Sequence, residues 1–165
     1  MKRVLLLCGA FLFSSLVVGC GTESRDGLVS STIQLIELGA TEIGNINSRV
    51  KEAAKLAETE GKKLDLTLAI DATKKLKDTG DEAQKLKRRI EQVRSQITDE
   101  DRETFAKKHK EGLNAAFKTL LQKREELRLT LADAEKLQVP GAQVAVKEFR
   151  DKLVEAESPF EALSR

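Results

Sequence analysis

The strongest constraint on the fold is a run of mostly apolar residues that recur alternately four and three positions apart. Its members are Val29, Ile33, Ile36, Ala40, Ile43, Asn47, Val50, Ala54 and Ala57. Because an α-helix turns once every 3.6 residues, this spacing places one continuous stripe on one helix face. Such a stripe is typical of the seam of a helical bundle or coiled coil. The sequence therefore predicts a long first helix that packs against other helices.

Similar spacing returns in three later stretches of the chain. The stripes comprise Ala72, Leu76, Thr79, Ala83, Leu86, Ile90, Val93 and Ile97; then Ala106, Leu113, Phe117, Leu120, Arg124, Leu127, Leu131 and Ala134; then Ala142, Val146, Phe149, Leu153 and Ala156. They predict helices over 28–60, 63–97, 99–138 and 142–157, and short connections make successive helices antiparallel. We therefore expect an all-α protein, an elongated antiparallel bundle of three long helices with coiled-coil-like seams and a short C-terminal helix packed on one end.

Glycine and proline residues predict where these helices end. Gly61 is expected to stop the first helix, since glycine favours the left-handed conformation of a helix end. Gly80 lies within an unbroken register, which favours a kink over a break. The apolar residues between Leu64 and Ile70 alternate briefly as in a strand, but the helix-forming residues around them favour a helix. The segment 158–161 (Ser-Pro-Phe-Glu) has the capping chemistry of a separate final turn.

The composition argues against two classes of binding protein. Charged residues make up 34% of the chain, aromatic residues only 4%, and neither Trp nor Tyr is present. Single-stranded nucleic acids are bound by stacked aromatic side chains, and many small-molecule pockets are lined by them. The sequence therefore favours neither a nucleic-acid platform nor an aromatic small-molecule pocket.

The N-terminal segment has the pattern of a secretory signal. Lys2 and Arg3 precede 16 uncharged residues, fewer than the roughly 20 that a membrane-spanning helix requires. This segment ends in Val17-Val18-Gly19-Cys20, which resembles the lipobox of bacterial lipoprotein precursors. The resemblance covers about the first 20 residues, and we recognise no family in residues 21–165.

The resemblance implies cleavage before Cys20, a thioether-linked diacylglycerol on its sulfur and acylation of the new amino group. Residues 1–19 are then the signal peptide, 20–27 the lipidated cysteine with a flexible tether, and 28–165 the helical bundle domain. Two or three acyl chains anchor a protein stably. Gly21, where an Asp would imply retention at the inner membrane, implies the outer membrane facing the periplasm in a diderm, and otherwise the outer face of the cytoplasmic membrane.

Removal of the signal would leave a chain without net charge. Lys2 and Arg3 leave with it and no acid does, so 27 basic and 27 acidic residues remain. No global field then attracts nucleic acid or anionic lipid. Cys8 also leaves and Cys20 takes the lipid, so no thiol remains for a disulfide, a metal or a nucleophile.

The polar residues give no recognisable catalytic set. His109 is the only histidine, whereas a zinc site needs three or four protein ligands. We interpret it as a partly exposed helix residue. Asp99, Glu100, Asp101 and Glu103 follow Thr98 at a predicted helix start, where acidic side chains stabilise the N-terminus. We therefore predict a non-enzymatic protein with no metal, no cofactor and no small-molecule substrate.

The first helix carries a second apolar stripe beside its seam. Its residues are Leu28, Leu35, Leu38 and Ile46, which lie within an arc of about 80° on the side roughly opposite Val29 and Ala40. Two explanations stay open. Either the fourth helix covers this stripe, or it is an exposed patch that binds a protein partner, another copy or the bilayer.

A basic run and two polar seam positions also have two interpretations each. Lys85, Lys87, Arg88 and Arg89 form either a solvated helix face or a contact for peptidoglycan, lipopolysaccharide or anionic lipid. Asn47 suits a residue that fixes register or oligomeric state. Arg124 suits a side chain that either snorkels from the bundle edge or pairs with an acid.

Taken together, these patterns predict a lipid-anchored helical scaffold or interaction protein of the bacterial cell envelope. It would attach to the membrane through its lipid and bind a protein partner or itself. The alternative is a binder of an envelope polymer or anionic lipid through the basic helix faces. Nucleic acid is not an expected partner.

The lipobox predicts the mass of the mature protein. Intact-mass spectrometry of the membrane-extracted chain should show loss of residues 1–19 and an added acyl mass on Cys20. Cys20→Ala should abolish both, because the thiol is the acceptor of the diacylglycerol. Recovery of an unmodified chain that still starts at Met1 would contradict the assignment.

Overall fold

The computed structural model describes residues 24–94 and 99–163, and the side chains of these residues other than 93, 94 and 99–102. Within them the chain forms four α-helices and no β-strand, which confirms the all-α class. The helices are α1 (Arg25–Glu60), α2 (Thr67–Arg94), α3 (Asp99–Glu135) and α4 (Ala142–Leu163).

Helix α1 begins inside the segment that the sequence assigned to a flexible tether. Ser24 is the N-cap, and its Oγ accepts a hydrogen bond from the backbone N–H of Gly27 at 3.2 Å. Asp26 lies in the first turn, where a negative side chain interacts favourably with the helix dipole. The expected start at residue 28 is therefore wrong, since this cap brings residues 25–27 into the helix.

Gly61 ends α1, as predicted. It adopts the left-handed conformation with φ 62° and ψ 23°, and its N–H bonds to the carbonyl of Ala57. The N–H of Lys62 bonds to the same carbonyl at 3.1 Å. This arrangement satisfies a carbonyl group that would otherwise be unpaired at the helix end.

The connection from α1 to α2 is not helical, which corrects the expected helix start at residue 63. Leu64 and Leu66 are buried although they lie in this connection. Asp65 Oδ1 accepts a hydrogen bond from the N–H of Thr67 at 2.9 Å, and hydrogen bonding by Thr67 lowers the pKa of Asp65. The strand-like alternation therefore marks a connector whose two leucines point into the core.

Helix α4 is longer than predicted. It continues to Leu163 with Pro159 inside it, so the separate final turn expected at 158–161 does not form. Pro159, Phe160 and Leu163 are all buried. Since proline removes a backbone donor and costs about 3 kcal/mol in a helix interior, the burial of these three side chains is what favours the continuous helix.

Contacts between helices define the direction of α1 relative to two of its neighbours. Glu42 of α1 pairs with Lys75 of α2 at 2.6 Å, whereas the earlier residue Gly39 lies near the same ring as the later residue Gly80. These two helices are therefore antiparallel. Helix α3 runs parallel to α1, because Asp26 contacts His109 and, further along both helices, Ile33 lies against Gly112.

Helix α4 packs mainly on α2 and less extensively on α3. Gln84 Nε2 donates to the carbonyl of Pro159 at 3.1 Å, and Lys87 Nζ donates to that of Ala162 at 3.1 Å, so α2 and α4 are parallel. These two contacts join the second half of α2 to the last turns of α4, so the two helices lie side by side there. The four helices enclose a shared core, a packing compatible with a bundle.

The predicted stripes account for most of the core. In α1 every member of the stripe is buried except Ile33 and Ala54, which are half-buried and pack against the core. In the second half of α3 the members Leu120, Leu127, Leu131 and Ala134 are buried. The 3-4 spacing thus predicted which faces of these helices are turned inward.

The ring of Phe160 fits between two glycines on different helices. A Cβ placed on Gly39 would lie 2.5 Å from Phe160 Cζ, and one placed on Gly80 would lie 2.8 Å from Phe160 Cε2. Real Cβ atoms do not approach other atoms so closely. The absence of a side chain at both positions is therefore what lets α4 contact α1 and α2 through one aromatic ring.

Gly39→Ala should destabilise the protein, whereas Gly44→Ala should stabilise it. Both replacements improve helix propensity by about 1 kcal/mol, but only the first forces a methyl group into Phe160, at a typical cost of about 1–3 kcal/mol. No atom lies within 4 Å of a Cβ at Gly44. Urea unfolding followed by circular dichroism measures both, and equal stabilisation by the two variants would contradict the packing role.

Candidate functional site

All four helices contribute to the lining of a partly open cavity of about 400 Å³. We call it the four-helix cavity. Its lining residues are Val29, Thr32 and Ile36 of α1; Lys87, Ile90 and Glu91 of α2; Phe105, Ala106, His109, Lys110, Leu113, Asn114 and Phe117 of α3; and Leu163 of α4. Most of the lining is apolar, and the charged side chains come from α2 and α3.

The cavity lies where the predicted seam is incompletely closed. The seam residues Leu113 and Phe117 are only half-buried and Ala106 is exposed, whereas Leu120 and Leu127 further along α3 are buried. Ile90 of α2 is also half-buried. The core therefore opens at the end of the bundle that contains the start of α1.

An ionic cluster links the start of α1 to α3 beside this cavity. Asp26 Oδ1 lies 2.8 Å from His109 Nε2, and Asp26 Oδ2 accepts a hydrogen bond from Lys108 Nζ. Hydrogen bonds from Lys108 and then His109 lower the pKa of Asp26 below its usual value. The carboxylate is thus held in its charged form, and it holds His109 in place.

A pair of aromatic contacts continues this cluster into the cavity wall. The guanidinium of Arg25 lies 4.0 Å from the centre of the Phe105 ring, a cation–π geometry. The rings of Phe105 and His109 are 4.7 Å apart between centroids. Two residues from the first turn of α1 are therefore positioned against α3.

His109 is a structural partner in this arrangement. Its side chain is 12% exposed, somewhat more buried than the sequence suggested. Within the described residues no group of three His, Cys, Asp or Glu side chains could hold a metal ion. The contacts of His109 are a hydrogen bond with Asp26 and a ring contact with Phe105.

A second recess lies between the end of α1 and the start of α2, with a volume of about 860 Å³. We call it the α1–α2 groove. Two exposed leucines line it, Leu56 with 55% and Leu68 with 67% of its surface accessible. An adjoining recess shares Arg49, Glu52 and Leu68 with it and continues as far as Glu42 and Lys75. The groove therefore follows α1 over residues 42–60, about 27 Å at 1.5 Å per residue.

The structure places the second apolar stripe of α1 mostly inside the protein. Leu28 and Ile46 are buried, and Leu35 is half-buried against the core. Only Leu38 is exposed, with 40% of its surface accessible. These four residues therefore do not form an exposed patch in this structure.

The face that carries this stripe lies against α2 and α4. Leu35 and Ile46 share a helix face with Gly39 and Glu42, by their spacing of four, three and four residues. Gly39 lies against Phe160 of α4, and Glu42 pairs with Lys75 of α2. This geometry fits the first explanation from the sequence, in which another part of the chain covers the second stripe. The fourth helix was expected to cover it alone, whereas α2 and α4 do so together.

The basic run is divided among different contacts. Lys85 Nζ pairs with Glu82 at 3.3 Å, and Lys87 Nζ donates to the carbonyl of Ala162 at the end of α4. Arg88 and Arg89 are exposed. Lys87 thus lies at the C-terminus of α4, where a cation is favourable. The exposed residues Lys85, Arg88 and Arg89 share a face of α2, by their spacing of three and four residues.

The two polar seam positions have different surroundings. Arg124 pairs with Glu157 at 2.8 Å and with Glu161 at 2.9 Å, so it contacts acids of α4 as one interpretation predicted. Burial raises the pKa of Glu157 even though Arg124 opposes this change. Asn47 is 6% exposed, and its Oδ1 has no hydrogen-bond partner among the described residues.

Cys20 and Thr98 lie outside the described residues. So do the side chains of Asp99, Glu100 and Asp101, although α3 does begin at Asp99.

The four-helix cavity was not predicted from the sequence, although the third stripe contains a signal of it. The members Ala106 and Leu113 are seven residues apart, and the position between them falls on His109 or Lys110. Polar residues at that position leave the seam without an apolar side chain. Such a gap indicates a place where two helices do not pack closely.

The chain matches no protein-family model, and no curated protein or solved structure shows significant similarity to it. In the part of the chain that the structure describes, no helix has an apolar stretch long enough to span a membrane.

The ion pairs of Asp26 predict a pH-dependent contribution to stability. Since its pKa is lowered from 3.8, this contribution is complete above the unfolded pKa and disappears as the pH falls through the lowered pKa. Asp26→Asn should therefore lower the melting temperature at pH 7 and have little effect in stronger acid. Asp78→Asn, at an exposed position of α2, is the control. Equal losses for Asp26→Asn at both pH values would contradict the ionic role.

Proposed function

We propose that this protein is a lipid-anchored, non-enzymatic interaction protein of the bacterial cell envelope that binds a helical segment of a partner in the α1–α2 groove. The anchor rests on the Val17-Val18-Gly19-Cys20 motif and the basic, apolar segment before it. The partner site rests on Leu56 and Leu68, whose exposure within one groove is the observation that carries the proposal.

The dimensions and lining of the groove favour a helix as the occupant. A length of about 27 Å accommodates some 18 helical residues at 1.5 Å each. The groove also carries charges of both signs: the cations include Arg49 and Lys63, and the anions include Glu52 and Asp65. An amphipathic helix with an apolar face and mixed charges at its edges would complement it.

This location replaces the patch that the sequence suggested. Leu28, Leu35 and Ile46 pack within the chain, whereas Leu56 and Leu68 are accessible. The coiled-coil-like seams and the elongated three-helix bundle remain part of this proposal. In such a bundle the α1–α2 groove would lie at the opposite end of α1 from the lipid-bearing terminus.

The alternative role, contact with an envelope polymer or anionic lipid through the basic run, has less support. Lys85 and Lys87 already bind groups within the chain. No observation in the described residues favours it over the groove.

Cross-linking in intact cell envelopes tests the proposed interaction. A photo-reactive residue at position 52, on the groove, should capture a specific partner identified by mass spectrometry. The double change Leu56→Glu and Leu68→Glu should reduce that product at least tenfold, because two charges replace the apolar contacts.

A matched control is Leu121→Glu with Leu129→Glu on α3, where the two leucines are 57% and 52% exposed and do not line the groove. This control should retain the product, and both doubles should keep the helical circular dichroism spectrum. An unchanged product in the Leu56/Leu68 double variant would overturn the proposal.

A further inference from the structure

We propose that the four-helix cavity binds the acyl chain of a single-chain anionic lipid, a long-chain fatty acid being the simplest example. The cavity is separate from the α1–α2 groove, and neither the membrane anchor nor the protein partner is needed for this inference.

The first argument is that the inner wall offers little to a polar ligand. Thr32 is buried, and its hydroxyl already donates to the carbonyl of Leu28 at 2.9 Å. His109 is engaged through Nε2 with Asp26. The other polar lining residues include Glu91, Lys110 and Asn114, which are exposed, whereas the more buried wall consists of apolar side chains such as Ile36, Leu113 and Phe117. A sugar or nucleotide would lose its hydrogen bonds to water here without replacement, whereas an alkyl chain would lose none.

The second argument is size. An engineered apolar cavity of roughly 150 Å³ holds benzene, a molecule of six carbons. By the same proportion, a partly open cavity of about 400 Å³ has room for at most about sixteen carbons, the size of one long acyl chain.

The third argument is the charge at the rim. The charged side chains that line the cavity are two lysines, Lys87 and Lys110, and one glutamate, Glu91. Positive charges therefore outnumber negative ones. Lys110 is exposed, and no ion pair of it is found within the described residues. A carboxylate at the end of an acyl chain could therefore pair with Lys110 while the chain occupies the apolar interior.

Photo-labelling of the full chain in isolated membranes tests the proposal. The probe is palmitic acid with a diazirine in mid-chain, and the labelled peptides are mapped by mass spectrometry. We expect labels on the segments of α2 and α3 that line the cavity, around Ile90 and Leu113. Labels spread over all helices would overturn the proposal.

Two variants with matched controls test where the acyl chain and its carboxylate bind. Ala106→Trp should reduce labelling at least tenfold by filling the cavity from an exposed position, whereas Ala115→Trp, exposed on α3 outside the cavity, should not. Lys110→Glu should weaken competition by unlabelled dodecanoate but not by dodecanol, and Lys118→Glu should change neither. Unchanged labelling in a correctly folded Ala106→Trp variant would refute the site.

Competition by fatty acids of increasing length separates an acyl site from a polar one. Each added methylene should improve competition about fourfold until the cavity is full, as expected for burial of alkyl groups. A lack of dependence on chain length would refute the proposal.

The lipid expected on Cys20 is another possible occupant. Labelling that occurs only in the Cys20→Ala chain, and not in the natural one, would show that the protein's own acyl group fills the cavity. That result would overturn the proposed free lipid, whereas equal labelling of both chains would support it.

Discussion

The packing of this protein depends on the contact of one aromatic ring with two glycines. Phe160 occupies the space left free by Gly39 and Gly80, so three of the four helices meet at this ring. Around this point the other contacts of α4 follow, because Gln84 and Lys87 reach carbonyl groups in the last turns of the same helix. The same contact favours the continuation of α4 through Pro159. A helix that ended before residue 160 would not place the Phe160 ring between Gly39 and Gly80.

Much of the fold could be predicted from the periodicity of apolar residues. The stripe of α1 and the end of that helix at Gly61 followed from local chemistry, and both are correct. Local patterns failed where distant groups decide the outcome. Gly80 is a site of close packing, and nothing near it in the sequence identifies Phe160 as its partner. The start of α1 was missed for a different reason, because Gly27 suggested a flexible segment although Ser24 caps the helix.

The α1–α2 groove and the four-helix cavity differ in how far the sequence could predict them. The α1–α2 groove owes its apolar character to Leu56 and Leu68. Their accessibility depends on how the start of α2 lies against the end of α1, which no short segment of the sequence specifies. The four-helix cavity lies where polar residues, His109 and Lys110, occupy a seam position. These residues are visible in the sequence, but only the structure shows that the missing apolar side chain leaves an open space. The buried second stripe of α1 has a simple origin, since this helix contacts both α2 and α3.

The early start of α1 affects how a chain tethered at Cys20 would stand on a bilayer. Cys20 and the first helical residue, Arg25, are five residues apart, so even a fully extended chain joins them over at most about 18 Å. The end of the protein with the four-helix cavity would then stay close to the lipid headgroups. The 36 residues of α1 correspond to about 54 Å. Where α1 stands upright on the bilayer, a partner in the α1–α2 groove would bind toward the end of the helix farthest from the membrane surface.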